Sequence, residues 1–311
     1  MDKVFNNNYN LDTIADIYNV VGKDIMDHGS VVCPRGKETK ELMVPKIIIN
    51  NPEYNLAYNK DRKFNLMYAL VESLMLFNNS KEVKYFTKFN ANMANFSDDG
   101  ILLHGAYGHR IANNLLPLVE HLKNDKDTRQ AVLSIYTNDF TVKTKDVPCT
   151  TNLFFNIRNN KLNMVTTMRS NDIIWGLPYD IFMFTNLQRI VANTLHIEVG
   201  KYIHIPVSLH VYSEHYELLE SMINDTIGIK TDQDSNIYEF IKQSNRYVKM
   251  IDGIIPSVPE LKRDTFNMLL YKEILYKDKN ASDDTWGIDN PEWANIFTKR
   301  WNKFLNNKES D

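Results

Sequence analysis

At 311 residues, with 43% hydrophobic and 11% aromatic side chains, the chain can bury a substantial core and reads as a folded globular protein. A formal charge of −3 excludes a global basic footprint for nucleic acid, although a local basic groove stays open. Two cysteines, Cys33 and Cys149, exclude a disulfide framework or a cysteine zinc site; without a long apolar run or an apolar signal core in MDKVFNNNYNLD, the expected location is the cytoplasm.

Residues 11–27 (LDTIADIYNVVGKDIMD) carry apolar side chains at helical spacing and predict a helix. Residues 62–78 (RKFNLMYALVESLMLFN) predict a strongly apolar second helix with one carboxylate, Glu72, in its middle, and residues 111–124 an amphipathic third. QAVLSIY reads as a strand, and TNLFFNIRNNKLNMVTTMR as a hairpin turning at Asn159-Asn160. A helix is expected from Ile181 to Leu195, then one strand through YIHIPVSLHVY, then a helix from Ser213. Beyond residue 225 the chain is more polar, with a Trp-rich, helical end. No repeat or linker divides this α/β or α+β pattern, so one compact domain is expected, with the last 80 residues as an appendage.

Several residues carry chemistry, each with a plainer alternative. Cys149, in DVPCTTN, is either a small buried hydrophobe or a nucleophile. The hairpin would bring it back to Arg169, whose guanidinium would favour the reactive thiolate. Glu72 either pairs structurally or is buried with a raised pKa and exchanges protons near neutrality. Arg35, Arg129, Arg169 and Ser170 would cradle a phosphate if they converge, yet each arginine alone reads as a surface residue. His210 and Tyr212 share one face of a strand and could grip a sugar hydroxyl, or be an ordinary amphipathic pair. The histidines show no metal-ligand spacing, so no metal is expected, and there is no Walker loop or GxGxxG.

VPCTTN, KLNMVTTMRSNDIIWGLPYDIFMFTNL and VGKYIHIPVSLHVYSEH together resemble the thymidylate synthase superfamily. Its core reads Pro-Cys-His, Arg-Ser-x-Asp, Gly-x-Pro-Phe-Asn and His-x-Tyr-Ser-x-His. HLKNDKDTRQAVLSIY, AYGHR and ALVESLMLF resemble its Asp-Ser-Arg-Arg, Tyr-Gly and catalytic-glutamate segments, so the likeness covers residues 15 to 220. It implies a thymidylate synthase-like α/β (α+β) fold, with a large mixed β-sheet flanked by helices and dimerising through the sheet face. The catalytic domain would span 1–225 and a mostly helical C-terminal extension 226–311. By the same resemblance Cys149 would add to C6 of a pyrimidine nucleotide and Glu72 would move protons. Arg35, Arg169 and Ser170 would hold the 5′-phosphate, and Arg129 that of the neighbouring subunit in a homodimer. His210 and Tyr212 would bind the 3′-hydroxyl, with Asn171, Asp172, Gly176 and Asp180 around the base. The co-substrate implied is 5,10-methylenetetrahydrofolate, with Asp172, Glu72, Tyr107 and Asp146 toward the folate.

Departures from the family pattern sharpen this expectation. Asp180 stands where the family has the Asn that reads the base edge, as it does in the deoxycytidylate hydroxymethylases of bacteriophages that the chain resembles. A carboxyl can accept from the 4-amino group of cytosine and share its proton with N3. Leaving one such group unpaired costs roughly 1–3 kcal/mol, enough to select the base. Asp146 stands where synthases are apolar, Met93 and Phe96 fall nearest the folate tryptophans, and the chain ends NNKESD without the family's apolar closing peptide. A wetter site favours water over hydride at the C5 methylene. Gln130 replaces the second arginine of Arg-Arg, and Thr150 the usual His. The expected activity is a deoxycytidylate 5-hydroxymethyltransferase that makes 5-hydroxymethyl-dCMP and tetrahydrofolate for phage DNA. The rivals are a methyltransferase using hydride, a CMP hydroxymethylase and a silent nucleotide- or RNA-binding relative.

Overall fold

The computed structural model describes residues 7–252, apart from 63, 138–142 and 232, so the expected C-terminal extension lies mostly outside the described residues. Strand β1 (Asn8–Leu11) leads into helix α1 (residues 14–28), where the backbone amide of Thr13 donates to Asp16 Oδ2 (2.8 Å) at the helix start. The expected first helix is therefore present, with a π-helical stretch over Ile17–Gly22. Four short strands follow that periodicity did not reveal: β2 (Ser30–Val32), β3 (Thr39–Met43), β4 (Lys46–Ile49) and β5 (Leu56–Tyr58). Runs of three to five residues are too short to show a period of two.

Helix α2 (Leu66–Met75) begins where Asn65 Oδ1 accepts from the Tyr68 amide (3.2 Å), a side-chain cap on an otherwise unpaired donor. Helix α3 (Tyr107–Asn124) starts four residues earlier than its apolar spacing suggests and tolerates Pro117 inside. A Cβ on Gly108 would stand 1.8 Å from the Met75 carbonyl oxygen. Only glycine allows α3 to begin against the end of α2; Tyr107, beside it, accepts from the Thr150 amide.

Strand β6 (Val132–Ser134) and the hairpin β7 (Thr150–Arg158) and β8 (Lys161–Met168) come next. The hairpin turns at Asn159 and Asn160 as expected, with φ of 53° and 56°, the left-handed pair of a type I′ turn. After β9 (Asn171–Asp172), helix α4 (Leu177–Leu195) is buried on nearly every face. Phe182, Phe184, Leu187 and Ile190 are fully buried there, each contributing about 1.5–3 kcal/mol relative to exposure. A helix apolar all round must be covered all round; α2 packs on one side of it and β8 and β10 on another.

YIHIPVSLHVY differs from expectation. It forms two strands, β10 (Glu198–Pro206) and β11 (Ser208–Tyr212), which belong to different sheets and part at Val207. Helix α5 (Tyr216–Met222), strand β12 (Ile227–Ile229) and helix α6 (Ile237–Ile251) complete the described chain; α6 packs on α2 and α4, and β12 pairs with β5. The large sheet is mixed, in the order β1-β4-β10-β8-β7-β6, and a second runs β2-β3-β11-β9. β4 pairs antiparallel with β10 and β3 antiparallel with β11. Both runs change sheet at the same corner, where the Val44 amide donates to the Val207 carbonyl (2.8 Å). Among the described residues no helix is long and apolar enough to cross a membrane.

Candidate active site

Cys149 ends a loop just before β7, and the Arg169 backbone amide, at the end of β8, donates to its carbonyl (2.8 Å). The hairpin thus returns the chain to Cys149, as its spacing suggested. Arg169 also donates through Nε to the Pro148 carbonyl (3.0 Å), through Nη2 to the Val147 carbonyl (3.0 Å) and through Nη1 to Ser170 Oγ (3.2 Å). It buttresses the Cys149 loop with the same fork that the sequence reading gave to phosphate. Its charge and a hydrogen bond from Ser170 favour the thiolate, but burial is the larger effect, and the Cys149 thiol lies above its ordinary value. This runs against the expectation of a thiol held ionised: burial favours the protonated thiol of Cys149.

Glu72, in the middle of α2, lies close to Asp180. Burial pushes its carboxyl up to about 8, opposed by a hydrogen bond from Tyr68 and reinforced by the nearby Asp180. Its Oε2 is buried without a partner among the described residues. The Tyr68 hydroxyl stands 2.9 Å from Met93 Sδ, so Met93 does line this corner, whereas Phe96 is half exposed. Tyr107, first residue of α3, has its phenol beside Cys149 and Asp180 and accepts from the Thr150 amide (3.3 Å).

Asp180 lies in the first turn of α4, where the helix dipole favours a charge. Burial outweighs that and pushes its carboxyl up to about 7, opposed by a hydrogen bond from Asn171. A carboxyl at that value exchanges its proton readily at neutral pH. Gly176 Cα lies so close to Asn171 that a Cβ there would stand 2.9 Å from the amide nitrogen. The glycine of GLPYD thus makes room for the side chain that orients Asp180.

Asp172 Oδ1 accepts from the amides of Ile174 (2.7 Å) and Trp175 (3.1 Å) and so shapes the turn before α4. Its strand neighbour is His210, which lies in β11 with its ring edge-on to Tyr212, centroids 5.2 Å apart. The two do share a face. Burial pushes the His210 imidazole down, and its Nδ1 has no partner among the described residues. Arg35, exposed in a tight turn at φ 55°, lies close enough to His210 to depress it further. Asp146 Oδ2 accepts from the Gly105 amide (2.7 Å), joining two loops, and burial raises its carboxyl.

Arg129 is the exception. It is exposed in the turn after α3, beyond the point where Ala131 meets Phe155. Along β7, at about 3.3 Å per residue, that pairing is roughly 20 Å from Cys149, too far for Arg129 to reach its own chain's site.

Three residues escaped the sequence reading. Arg62 is 1% exposed, its guanidinium 5.1–5.4 Å from the Phe64, Trp175 and Tyr179 rings. Its Nε donates to the Ile174 carbonyl (2.7 Å), while Nη1 and Nη2 have no partner among the described residues. An arginine beside a lysine in a polar loop gives no sequence signal of burial. Tyr202 and His204, both fully buried in β10, look like ordinary strand residues until Asn171 is seen beside them. Among the described residues, no group of three or more His, Cys, Asp or Glu is placed to hold a metal ion.

Comparison with known proteins gives this geometry its context. A family model described as thymidylate synthase matches residues 16–240. The chain is 35% identical over 221 residues to a protein of Bacillus phage SP01 named deoxyuridylate hydroxymethyltransferase, covering 65% of this chain and 58% of that one. Proteins of the same name from Pseudomonas phage M6 (33% over 172 residues, 52% of this chain and 49% of that one) and Delftia phage PhiW-14 (31% over 213 residues, 63% and 58%) are also similar. The chain therefore spans about half to three fifths of the length of these phage relatives. With Cys149, Glu72 and Tyr107 each close enough to Asp180 to feel its charge and the family model matching most of the chain, the protein belongs to the thymidylate synthase family.

Proposed function

We propose that the chain transfers a one-carbon unit from 5,10-methylenetetrahydrofolate to C5 of dCMP and completes the transfer with water, giving 5-hydroxymethyl-dCMP and tetrahydrofolate. Asp180 carries this reading: the base-facing position holds a carboxyl poised at about 7. As a neutral acid it donates to N3 of cytosine and accepts from the 4-amino group. Proton donation at N3 draws electrons from C6, where the Cys149 sulfur forms its bond. C5 then bonds to the methylene carbon and gives up its proton, and folate leaves as its C–N bond breaks. Water adds to the exocyclic methylene, and elimination at C6 releases Cys149. Glu72, raised to about 8, is placed to relay protons through these steps. Arg35, Ser170 and Arg169 are assigned to the phosphate, His210 and Tyr212 to the sugar, and Arg62 and Trp175 offer folate a donor pair and an aromatic face.

A second reading has its own support: the phage relatives carry names specifying deoxyuridylate. One assay separates the two. Offered dCMP, dUMP and CMP separately with methylenetetrahydrofolate, the protein should form 5-hydroxymethyl-dCMP, seen by mass spectrometry. Preferential conversion of dUMP would overturn the base assignment. A methyl product with dihydrofolate would overturn the water step.

The proposed assembly is a homodimer through the open face of the large sheet. Phe154, Val165, Ile203 and Ile48 are successive cross-strand partners on that face. Phe154 is 37% exposed and the other three half-buried, an apolar row across four strands. Arg129, out of reach of its own site, would serve the partner's. Val165→Glu should yield a monomer by light scattering, with activity reduced at least about tenfold through loss of a phosphate-binding arginine. A fully active monomer would refute the arrangement.

A further inference from the structure

Behind Asp180 runs a buried chain of hydrogen bonds whose donors all point the same way. The Tyr202 hydroxyl meets His204 Nδ1 (3.1 Å), His204 Nε2 meets Asn171 Oδ1 (2.9 Å), and Asn171 Nδ2 donates to Asp180 Oδ2 (2.8 Å). Amide oxygen cannot donate, so His204 must carry its proton on Nε2 and accept from Tyr202 at Nδ1. Tyr202 and His204 are fully buried and Asn171 is 3% exposed. Burial pushes the His204 imidazole down to about 3, so it stays neutral with this tautomer at working pH. The remaining groups around Asp180 are Glu72 and Tyr68 from α2, Tyr107 from α3 and Cys149.

This direction has a chemical consequence. A neutral carboxyl free to choose its protonated oxygen pairs with either base. It can donate to N3 and accept from the 4-amino group of cytosine, or donate to O4 and accept from N3–H of uracil. Asn171 obliges Oδ2 to accept, so the acid proton belongs on Oδ1, and only one donor–acceptor order faces the ligand. We infer that His204, held by Tyr202 and acting through Asn171, is a positioning residue that fixes which oxygen of Asp180 bears the proton and thereby enforces the choice between cytosine and uracil nucleotides. The inference rests on the proposal that Asp180 reads the base, but it does not depend on which base is chosen.

The test compares wild type with Asn171→Leu, His204→Phe and the amide-bearing His204→Gln. The readout is exchange of the C5 hydrogen of dCMP and of dUMP, measured by NMR as kcat/KM over a range of pH. Asn171→Leu and His204→Phe should each shrink the preference between the two nucleotides about tenfold, as one directed hydrogen bond is lost. His204→Gln, which can still donate to Asn171, should restore much of it. Asn171→Leu should also move the lower alkaline limb of the profile upward, because the donor that favours ionised Asp180 is gone. The wild-type ratio alone says whether dCMP is the preferred base. An unchanged ratio together with an unmoved limb in folded Asn171→Leu and His204→Phe proteins would overturn the inference whatever that base is. An equal loss of exchange on both nucleotides, with the ratio and limb unmoved, would reduce the chain to a structural role and overturn it as well.

Discussion

Cys149→Ala is expected to abolish both exchange of the C5 hydrogen and one-carbon transfer, by at least about four orders of magnitude, because no other group can form the bond to C6. Nucleotide affinity should change little, since Arg35, Ser170, His210 and the Asp180 edge are untouched. Thermal stability should also hold: the side chain is small and half-buried at the end of a loop that Arg169 pins through backbone carbonyls. Calorimetric titration with dCMP beside an exchange assay separates the two effects. Persisting exchange in the alanine protein would remove Cys149 from the chemistry and with it the covalent mechanism. Cys149→Ser should be nearly as inactive, for Arg169 and Ser170 cannot bring an alcohol within range of ionisation.

The second large effect concerns Asp180→Asn. An amide presents a fixed donor and acceptor and cannot lend a proton to N3, so the preference for dCMP over dUMP should fall by about a hundredfold or more, with two contacts mispaired at roughly 1–3 kcal/mol each. The pH dependence follows from the same residue. Asp180 lies above its ordinary value, neutral below about 7 and ionised above it, so the proton needed at N3 is lost as pH rises through that point. Glu72 adds a second fall near 8. In Asp180→Asn the lower limb should vanish and the upper one persist but move downward, because the Asp180 charge that reinforces Glu72 is gone. A preference and a profile identical to wild type would show that the carboxyl does not read the base.

The candidate reactive residues stand out in the sequence because the chemistry demands residue types at fixed separations: Cys149 and Arg169 at the two ends of one hairpin, Glu72 alone in an apolar helix, Asp180 after Gly-Leu-Pro-Tyr. The long periodic elements were legible too, since α2, α4 and the β7–β8 hairpin each repeat their pattern often enough to be counted. The short strands were not, nor was the parting of β10 from β11, because a change of sheet at Val207 leaves the alternation of apolar residues intact on both sides. The sequence also misjudged Cys149: an arginine nearby predicts a thiolate, but the desolvation that opposes it depends on distant residues packed around the loop. The chain from Tyr202 to Asp180 was invisible for a similar reason, since its His204–Asn171 step joins residues 33 positions apart that meet only in three dimensions.

The shared corner at Val44 and Val207 makes β3–β4 and β10–β11 a single bent ribbon that serves as the spine of both sheets. His204, behind the base edge, and His210, beside the sugar, stand on one limb of that ribbon, six residues apart. On the proposed assignments, the spacing between the histidine that positions Asp180 and the histidine that meets the sugar is therefore set by main-chain hydrogen bonds rather than by loop position. On that proposal the nucleotide half of the site would act as a rigid gauge, matched to a nucleoside of one length. If folate is the second substrate, as proposed, any rearrangement that encloses it would fall to the segments that this ribbon does not carry.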